Sequence, residues 1–137
     1  MHEQFNAAVW LVDRHVENGD GERVAVICQD RTHTYGDIQR LVVATAASLR
    51  SIGVRPEERV AMAMLDSVEF IATFLGAMRI GAVPVAMNPL LPGRDLGVIT
   101  ADARARVAVV SATEADRIDE LAAGAPELER VILAGPG

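Results

Sequence analysis

Histidine, cysteine and paired carboxylates supply much of the acid–base and nucleophilic chemistry of enzymes, and this sequence places few of them where they could cooperate. His2, His15 and His33 are not spaced as ligand pairs on a helix or turn, and surface positions are the simpler interpretation. Cys28 is the only cysteine and closes the apolar run Val24–Cys28, which predicts a small buried side chain and no nucleophile. These residues therefore predict no catalytic and no metal-binding site.

Phosphate-binding signals are also weak. All 13 basic residues are arginine, so the chain cannot supply a Schiff-base lysine or the lysine of a Walker-type loop. Gly19-Asp20-Gly21 begins like a dinucleotide-binding motif, but position 24, where the third glycine belongs, is Val24, and no strand precedes the loop. We interpret it as a turn that ends a helix, and any lysine-dependent step must use residues outside this chain.

Charge and hydropathy exclude further classes. The formal net charge is -6 and no segment concentrates basic residues, so nucleic acid is not an expected partner. Glu57-Glu58 follows Pro56 in a predicted turn, and Asp119-Glu120 lies on the predicted solvent side of a helix, so neither resembles a carboxylate pair in a cleft. The N-terminus lacks the basic and apolar segments of a signal peptide, and the apolar runs are too short to span a membrane. We expect a soluble, cytoplasmic protein.

The elements that would position a site alternate regularly along the chain. Short apolar strands alternate with helices of about three turns, a rhythm typical of parallel strands joined by crossover helices. A β-hairpin comes first, between a helix over Phe5–Val16 and a long helix from Thr34 to about Ile52. The sequence thus predicts an α/β fold, with a largely parallel sheet flanked by helices and a short antiparallel hairpin near the N-terminus. The predicted hairpin strands are Val24–Cys28 and Thr32–Thr34, and the predicted sheet strands are Val60–Leu65, Val83–Met87, Val107–Val110 and Val131–Leu133.

Helix caps mark most of the boundaries. Asn6 can cap the first helix, and Thr34 with Asp37 resembles a capping box. Similar pairs predict two later helix starts, and glycines predict the helix ends. The later pairs are Asp66 with Glu69 and Thr113 with Asp116, and the glycines are Gly53, Gly81 and Gly124.

Periodicity does not account for three segments, and these, with a fourth stretch over Ala101–Val107, carry a family resemblance. The three segments are Phe5–Val16, Thr34–Ile38 and Phe74–Pro92. Thr34–Ile38 and Phe74–Pro92 resemble the first two core motifs of the adenylate-forming superfamily, which includes acyl- and aryl-CoA synthetases. Ala101–Val107 resembles the family's Asp-Ser-x-Ala-Lys-Val stretch, with Ala103 for Ser and Arg106 for Lys. The opening segment, Phe5–Val16, is similar to the benzoate-CoA ligase branch.

The resemblance implies a parent enzyme that uses ATP, Mg²⁺ and CoA to convert a benzoate-type carboxylate into a CoA thioester through an acyl-adenylate. Residues 1–137 would be the N-terminal part of its AMP-binding domain, an incomplete subdomain that ends before the phosphate-binding loop. That loop is rich in Ser, Thr and Gly and ends in Pro-Lys, whereas the serines here are isolated. We therefore expect no catalytic or cofactor-binding residue in this chain, no bound cofactor, and no activity from these residues alone.

Two other interpretations remain open from the residues alone. A non-enzymatic α/β module could bind a partner through an exposed sheet edge, and self-association through exposed sheet surface is a related expectation. An independent flavodoxin-like domain could instead bind a small ligand at its strand ends.

Overall fold

The computed structural model describes residues 5–135. Their backbone contacts divide into two compact units, each formed from two stretches of chain. The first unit contains residues 5–55 and Ser67–Gly81, and the second contains Pro56–Asp66 and residues 82–135.

The first unit opens with the predicted N-terminal helix, which has an unexpected wide turn. Asn6 caps it, since its Oδ1 accepts a hydrogen bond from the Ala8 amide at 3.0 Å. Residues Val9–Asp13 are π-helical and lead into α1, Arg14–Glu17. Asp13 is buried, accepts a hydrogen bond from Gln39 Nε2 at 3.1 Å and forms an ion pair with Arg79.

The hairpin and the long helix that follows agree closely with the sequence prediction. β1, Val24–Cys28, pairs antiparallel with β2, Arg31–Thr34, which confirms the hairpin. The helix α2 spans Tyr35–Ser51, and Thr34 and Asp37 form a complete capping box. The hydrogen bonds from the Thr34 backbone and hydroxyl lower the pKa of the Asp37 carboxyl group below its usual value.

The helix α3, Val68–Arg79, begins one residue later than predicted. Ser67, rather than Asp66, is the N-cap, and its Oγ accepts a hydrogen bond from the Phe70 amide at 3.1 Å. Ser67 is the N-cap because it is the last residue with an extended backbone before the helix. Only a side chain in that position reaches the free amides of the first turn.

Helical spacing predicts that Phe70, Ile71, Phe74, Leu75 and Met78 form the buried face of this helix. Leu75 is buried, and Ile71, Phe74 and Met78 are partly buried against the same core cluster. The other buried residues of α3 are the small ones, Ala72, Thr73, Gly76 and Ala77.

Small residues allow α3 to approach α2 closely. A Cβ added to Gly76 would lie 3.1 Å from the Thr45 Cβ and 3.2 Å from the Ala46 amide nitrogen of α2. Gly81 ends the helix, as predicted, since its φ of 79° is in the left-handed region.

The second unit contains the predicted parallel sheet. Its strands are β3 (Arg59–Ala63), β4 (Val83–Ala86), β5 (Val107–Ser111) and β6 (Arg130–Ala134). They lie in the order β4-β3-β5-β6, and each pair is parallel. The α/β fold class and the grouping of these four strands in one sheet are confirmed.

Two helices of the second unit cover one face of this sheet. Leu96 of α4, Gly93–Asp102, and Leu121 of α5, Ile118–Gly124, pack with inward-facing sheet residues such as Ala61 and Val110. The predicted cap by Thr113 and Asp116 is wrong. Residues Ala112–Arg117 form a 3₁₀ helix that continues into α5, so no extended residue precedes α5 to act as a cap.

The α4–α5 contact gives a testable packing prediction. A Cβ on Gly97 would lie 2.8 Å from the Leu121 carbonyl oxygen and 2.9 Å from the Gly124 Cα, and neither backbone atom can move without shifting α5. We expect Gly97→Val to lower the free energy of unfolding by about 1–3 kcal/mol or more, measured by urea denaturation.

Arg94→Val is the matched control, because it puts the same side chain at an exposed position of the same helix. The control should change the free energy of unfolding by less than about 0.5 kcal/mol. Equal effects of the two substitutions would show that close packing at Gly97 is unimportant.

Candidate functional site

The carboxyl ends of parallel strands meet at one edge of the sheet, and ligands of open α/β sheets usually bind outside that edge where the strand order reverses. Here the chain passes from β3 to β4 on one side, then returns to β5 on the other side of β3. The reversal therefore lies between β3 and β5. We take the segments that follow these strands and β4 as the candidate site and call them the carboxyl edge.

A serine hydroxyl bridges the two strands at the reversal point. Ser111, the last residue of β5, is 8% exposed, and its Oγ accepts a hydrogen bond from the Leu65 amide at 2.9 Å. This bond satisfies the Leu65 amide, which lies two residues after the end of β3, and it fixes the path of the chain after that strand. In the sequence, Ser111 is an isolated serine with no neighbouring motif. Its position directly after a continuous apolar strand is the signal that could have revealed its role.

The loop after β4 is held by a second polar residue. Arg117 donates hydrogen bonds to the Pro89 and Leu91 carbonyl oxygens, the second at 3.2 Å, and pairs with Glu114 at 3.1 Å. The Asn88 Oδ1 accepts a hydrogen bond from the Leu90 amide at 3.0 Å within the same loop. The proline-rich motif is thus fixed by side chains as well as by its prolines.

The residues considered for chemistry do not converge on the carboxyl edge. His15 stacks on Tyr35 at a centroid distance of 4.2 Å in the first unit. Cys28 is half-buried, not fully buried as predicted, because the two-stranded hairpin leaves one side partly open to water. Within residues 5–135, no group of His, Cys, Asp and Glu side chains could hold a metal ion. The prediction that this chain carries no catalytic or cofactor-binding residue stays a prediction.

Two acidic residues, Glu58 and Glu129, bind an arginine at the opposite edge of the sheet, where the strands begin. Arg106, just before β5, forms two hydrogen bonds with the Glu129 carboxylate at 2.8 and 2.7 Å and one with Glu58 at 3.0 Å. These contacts, led by the hydrogen bonds with Glu129, raise the pKa of Arg106, and the same guanidinium lowers the pKa of Glu129. The amino ends of β3, β5 and β6 are therefore linked by one cation.

Comparison with known proteins identifies the family. The sequence model described as "AMP-binding enzyme" matches residues 12–135. The chain belongs to this family. Among curated relatives, it is 37% identical over 131 residues to the 4-hydroxybenzoate–CoA/benzoate–CoA ligase of Rhodopseudomonas palustris, and 35% identical over 134 residues to the benzoate–CoA ligase of Thauera aromatica. These matches cover 96% and 97% of this chain.

Solved structures of AMP-binding enzymes share the fold. The anthranilate–CoA ligase AuaEII, crystallised with anthranoyl-AMP, matches with a TM-score of 0.88 and 29% identity, over 96% of this chain and 25% of its own. A benzoate–CoA ligase from Burkholderia xenovorans LB400 matches with a TM-score of 0.88 and 30% identity, over 97% and 26%. The resemblance to the adenylate-forming superfamily is confirmed, and it argues against an independent flavodoxin-like domain.

The AMP-binding family match concerns one part of much longer relatives. The chain spans about a quarter of the length of the two curated relatives, 24% and 25%. In the described residues, no helix is both long and apolar enough to cross a membrane.

The hydrogen bond between Ser111 and Leu65 can be tested directly. Ser111→Ala removes the acceptor of the Leu65 amide. Because Leu65 is 37% exposed, water can partly replace that acceptor, so we expect the free energy of unfolding to fall by about 0.5–1.5 kcal/mol. The Leu65 amide should also exchange with solvent deuterium faster, as measured by NMR.

Ser51→Ala serves as the control, since Ser51 donates to the Ser48 carbonyl at an exposed helix end. It should change stability by less than about 0.5 kcal/mol. Unchanged exchange at Leu65 in Ser111→Ala would contradict a fixing role for this bond.

Proposed function

We propose that this chain is the N-terminal part of an aryl-CoA ligase that activates benzoate-type acids. The carboxylate attacks the α-phosphorus of ATP, which releases pyrophosphate and forms an acyl-adenylate. The CoA thiolate then displaces AMP to give the thioester. The observation that carries the proposal is the 35–37% identity to ligases named for benzoate and 4-hydroxybenzoate, over nearly the whole chain.

The contribution of this chain is structural in the proposal. Its sheet and the bridged carboxyl edge give later parts of the enzyme a fixed surface on which to build a site. ATP, Mg²⁺, CoA and the aryl acid would be bound by residues outside these 137, because adenylation needs cations and donors around the triphosphate. Arg106 and Arg117, the two arginines described above at the sheet edges, already have protein partners.

The proposal also includes the cellular location of the enzyme and its binding partners. A cytoplasmic enzyme has direct access to ATP and CoA, and no nucleic acid or membrane is needed as a partner. The edge strand β6 hydrogen-bonds to β5 and, within residues 5–135, to no other strand, while its Leu133 is 53% exposed. When this chain is produced alone, that edge would favour self-association.

The substrate class is tested with the complete enzyme that contains this chain. We expect carboxylate-dependent formation of AMP with benzoate or hydroxybenzoates, at a higher kcat/KM than with medium-chain fatty acids. Parallel assays with each acid, ATP, Mg²⁺ and CoA would measure this ratio. A clear preference for the fatty acids would defeat the aryl assignment while leaving the family membership intact.

The second prediction is that residues 1–137 alone do not adenylate a carboxylate or bind ATP tightly. Removing even one preorganised donor of a charge-stabilising site typically costs ~10²–10³ in rate, and here the lysine-containing loop is outside the chain. Carboxylate-dependent ATP–pyrophosphate exchange and calorimetric titration with ATP are the two measurements. Exchange above the background of a preparation free of host ligases would place the active site within this chain.

A further inference from the structure

A groove of about 370 Å³ opens on the first unit, and none of its lining residues belongs to the carboxyl edge. It is formed by the π-helical segment, one face of α2 and the end of α3. Its volume is within the range of small-ligand sites. The lining residues are Val9, Val43, Ala46, Ala47, Arg50, Arg79 and Ile80.

Five of the seven residues that line the groove are apolar, and several of them are exposed. Val9 is 40% exposed and Val43 is 43% exposed, although both line a concave surface. Ala46 and Ala47 are small, which leaves the space between the helices open. Displacing water from these side chains with an apolar group is favourable.

The two arginines of the groove differ in their pairing. Arg79 is neutralised by the buried carboxylate of Asp13, which Gln39 also contacts. Arg50, in the last turn of α2, is exposed, and its guanidinium has no hydrogen bond or ion pair with any residue in the part of the chain described, 5–135. The groove therefore carries one uncompensated positive charge next to an apolar surface.

We propose that this groove binds a monocarboxylate with an apolar body, such as a medium-chain or aryl acid. The apolar body lies against Val9, Val43 and the two alanines, and the carboxylate pairs with Arg50. A guanidinium presents two parallel N–H groups that match a carboxylate, and a single free cation matches a single negative charge. The proposal does not depend on the proposed function, because it uses no residue of the carboxyl edge.

Three probes separate the two halves of the site. Octanoate has both the apolar body and the charge, acetate has only the charge, and octanamide has only the apolar body. Each is titrated into the ¹⁵N-labelled 137-residue chain and followed by NMR. We expect octanoate to shift the amide signals of Val9, Val43 and Ala47, with a Kd of about 1 mM from typical ligand efficiencies. Acetate should cause no such shifts, and octanamide should bind about threefold to tenfold more weakly.

Variants locate the interaction. Arg50→Gln should weaken octanoate binding about threefold to tenfold, and Ala47→Phe, which fills the groove, should abolish it. Arg40→Gln is the matched control on α2, since Arg40 is an exposed arginine paired with Asp37 outside the groove. It should leave binding unchanged. Because Arg50 is exposed, its substitution should preserve the fold, which circular dichroism checks independently of Ala47→Phe.

Several results would overturn the proposal. Equal binding of octanoate and octanamide, equal binding by Arg50→Gln, or shifts confined to other surfaces would each do so. If the amide signals of the groove residues shift when the protein is concentrated without ligand, the groove would instead bind a second copy of the chain.

Discussion

Burial of the two central strands on both faces is the constraint on which the second unit depends. Every residue of β5 and four of the five residues of β3 are buried, and each strand is hydrogen-bonded to neighbours on both sides. A strand in that position cannot hold an unpaired polar side chain without a large desolvation cost. Polar side chains of these two strands are therefore confined to the strand ends, and Ser111 is placed there, at the last position of β5.

The amino and carboxyl edges of the sheet are held by different kinds of contact. At the amino edge, the strands start from exposed turns, and Arg106 links three of them through carboxylates that remain partly in water. Exposed pairs of this kind contribute little to stability, so their main effect is to align the strand starts. At the carboxyl edge, the partners are backbone groups: Ser111 accepts from the Leu65 amide, and Arg117 donates to two carbonyl oxygens. An edge fixed through its backbone leaves its outer surface available to other groups.

The sequence predicts most of this architecture because its signals are local. Apolar runs three to six residues long identify the sheet strands, and the Thr34–Asp37 capping box identifies the start of α2 within a single turn. Errors occur where local signals compete or where the cause is distant. Asp66 and Ser67 are both good caps, and only the backbone path after β3 decides between them.

The ion pair made by the π-helical turn is the clearest case of a contact between residues that are far apart in sequence. The turn contains Asp13, whose partner Arg79 is 66 residues away in sequence. The same holds for the candidate site: Ser111 and Leu65 are 46 residues apart, and no spacing rule connects them. Residue types can be found in a sequence, but contacts between elements that are not adjacent in the chain require the fold.

The position of Arg106 departs from the family pattern by one residue, and its contacts in this chain show what an arginine does there. The corresponding stretch of the family has lysine there, and this chain contains none. Lysine offers a single charged centre, whereas a guanidinium presents several donors in one plane. Here Nε and one terminal nitrogen of Arg106 bind both oxygens of Glu129, and the other terminal nitrogen reaches Glu58. Arginine therefore contacts both carboxylates at once and links the starts of three strands. A cation at this position is explained by the strand ends that it joins, so it needs no role in the chemistry of the family.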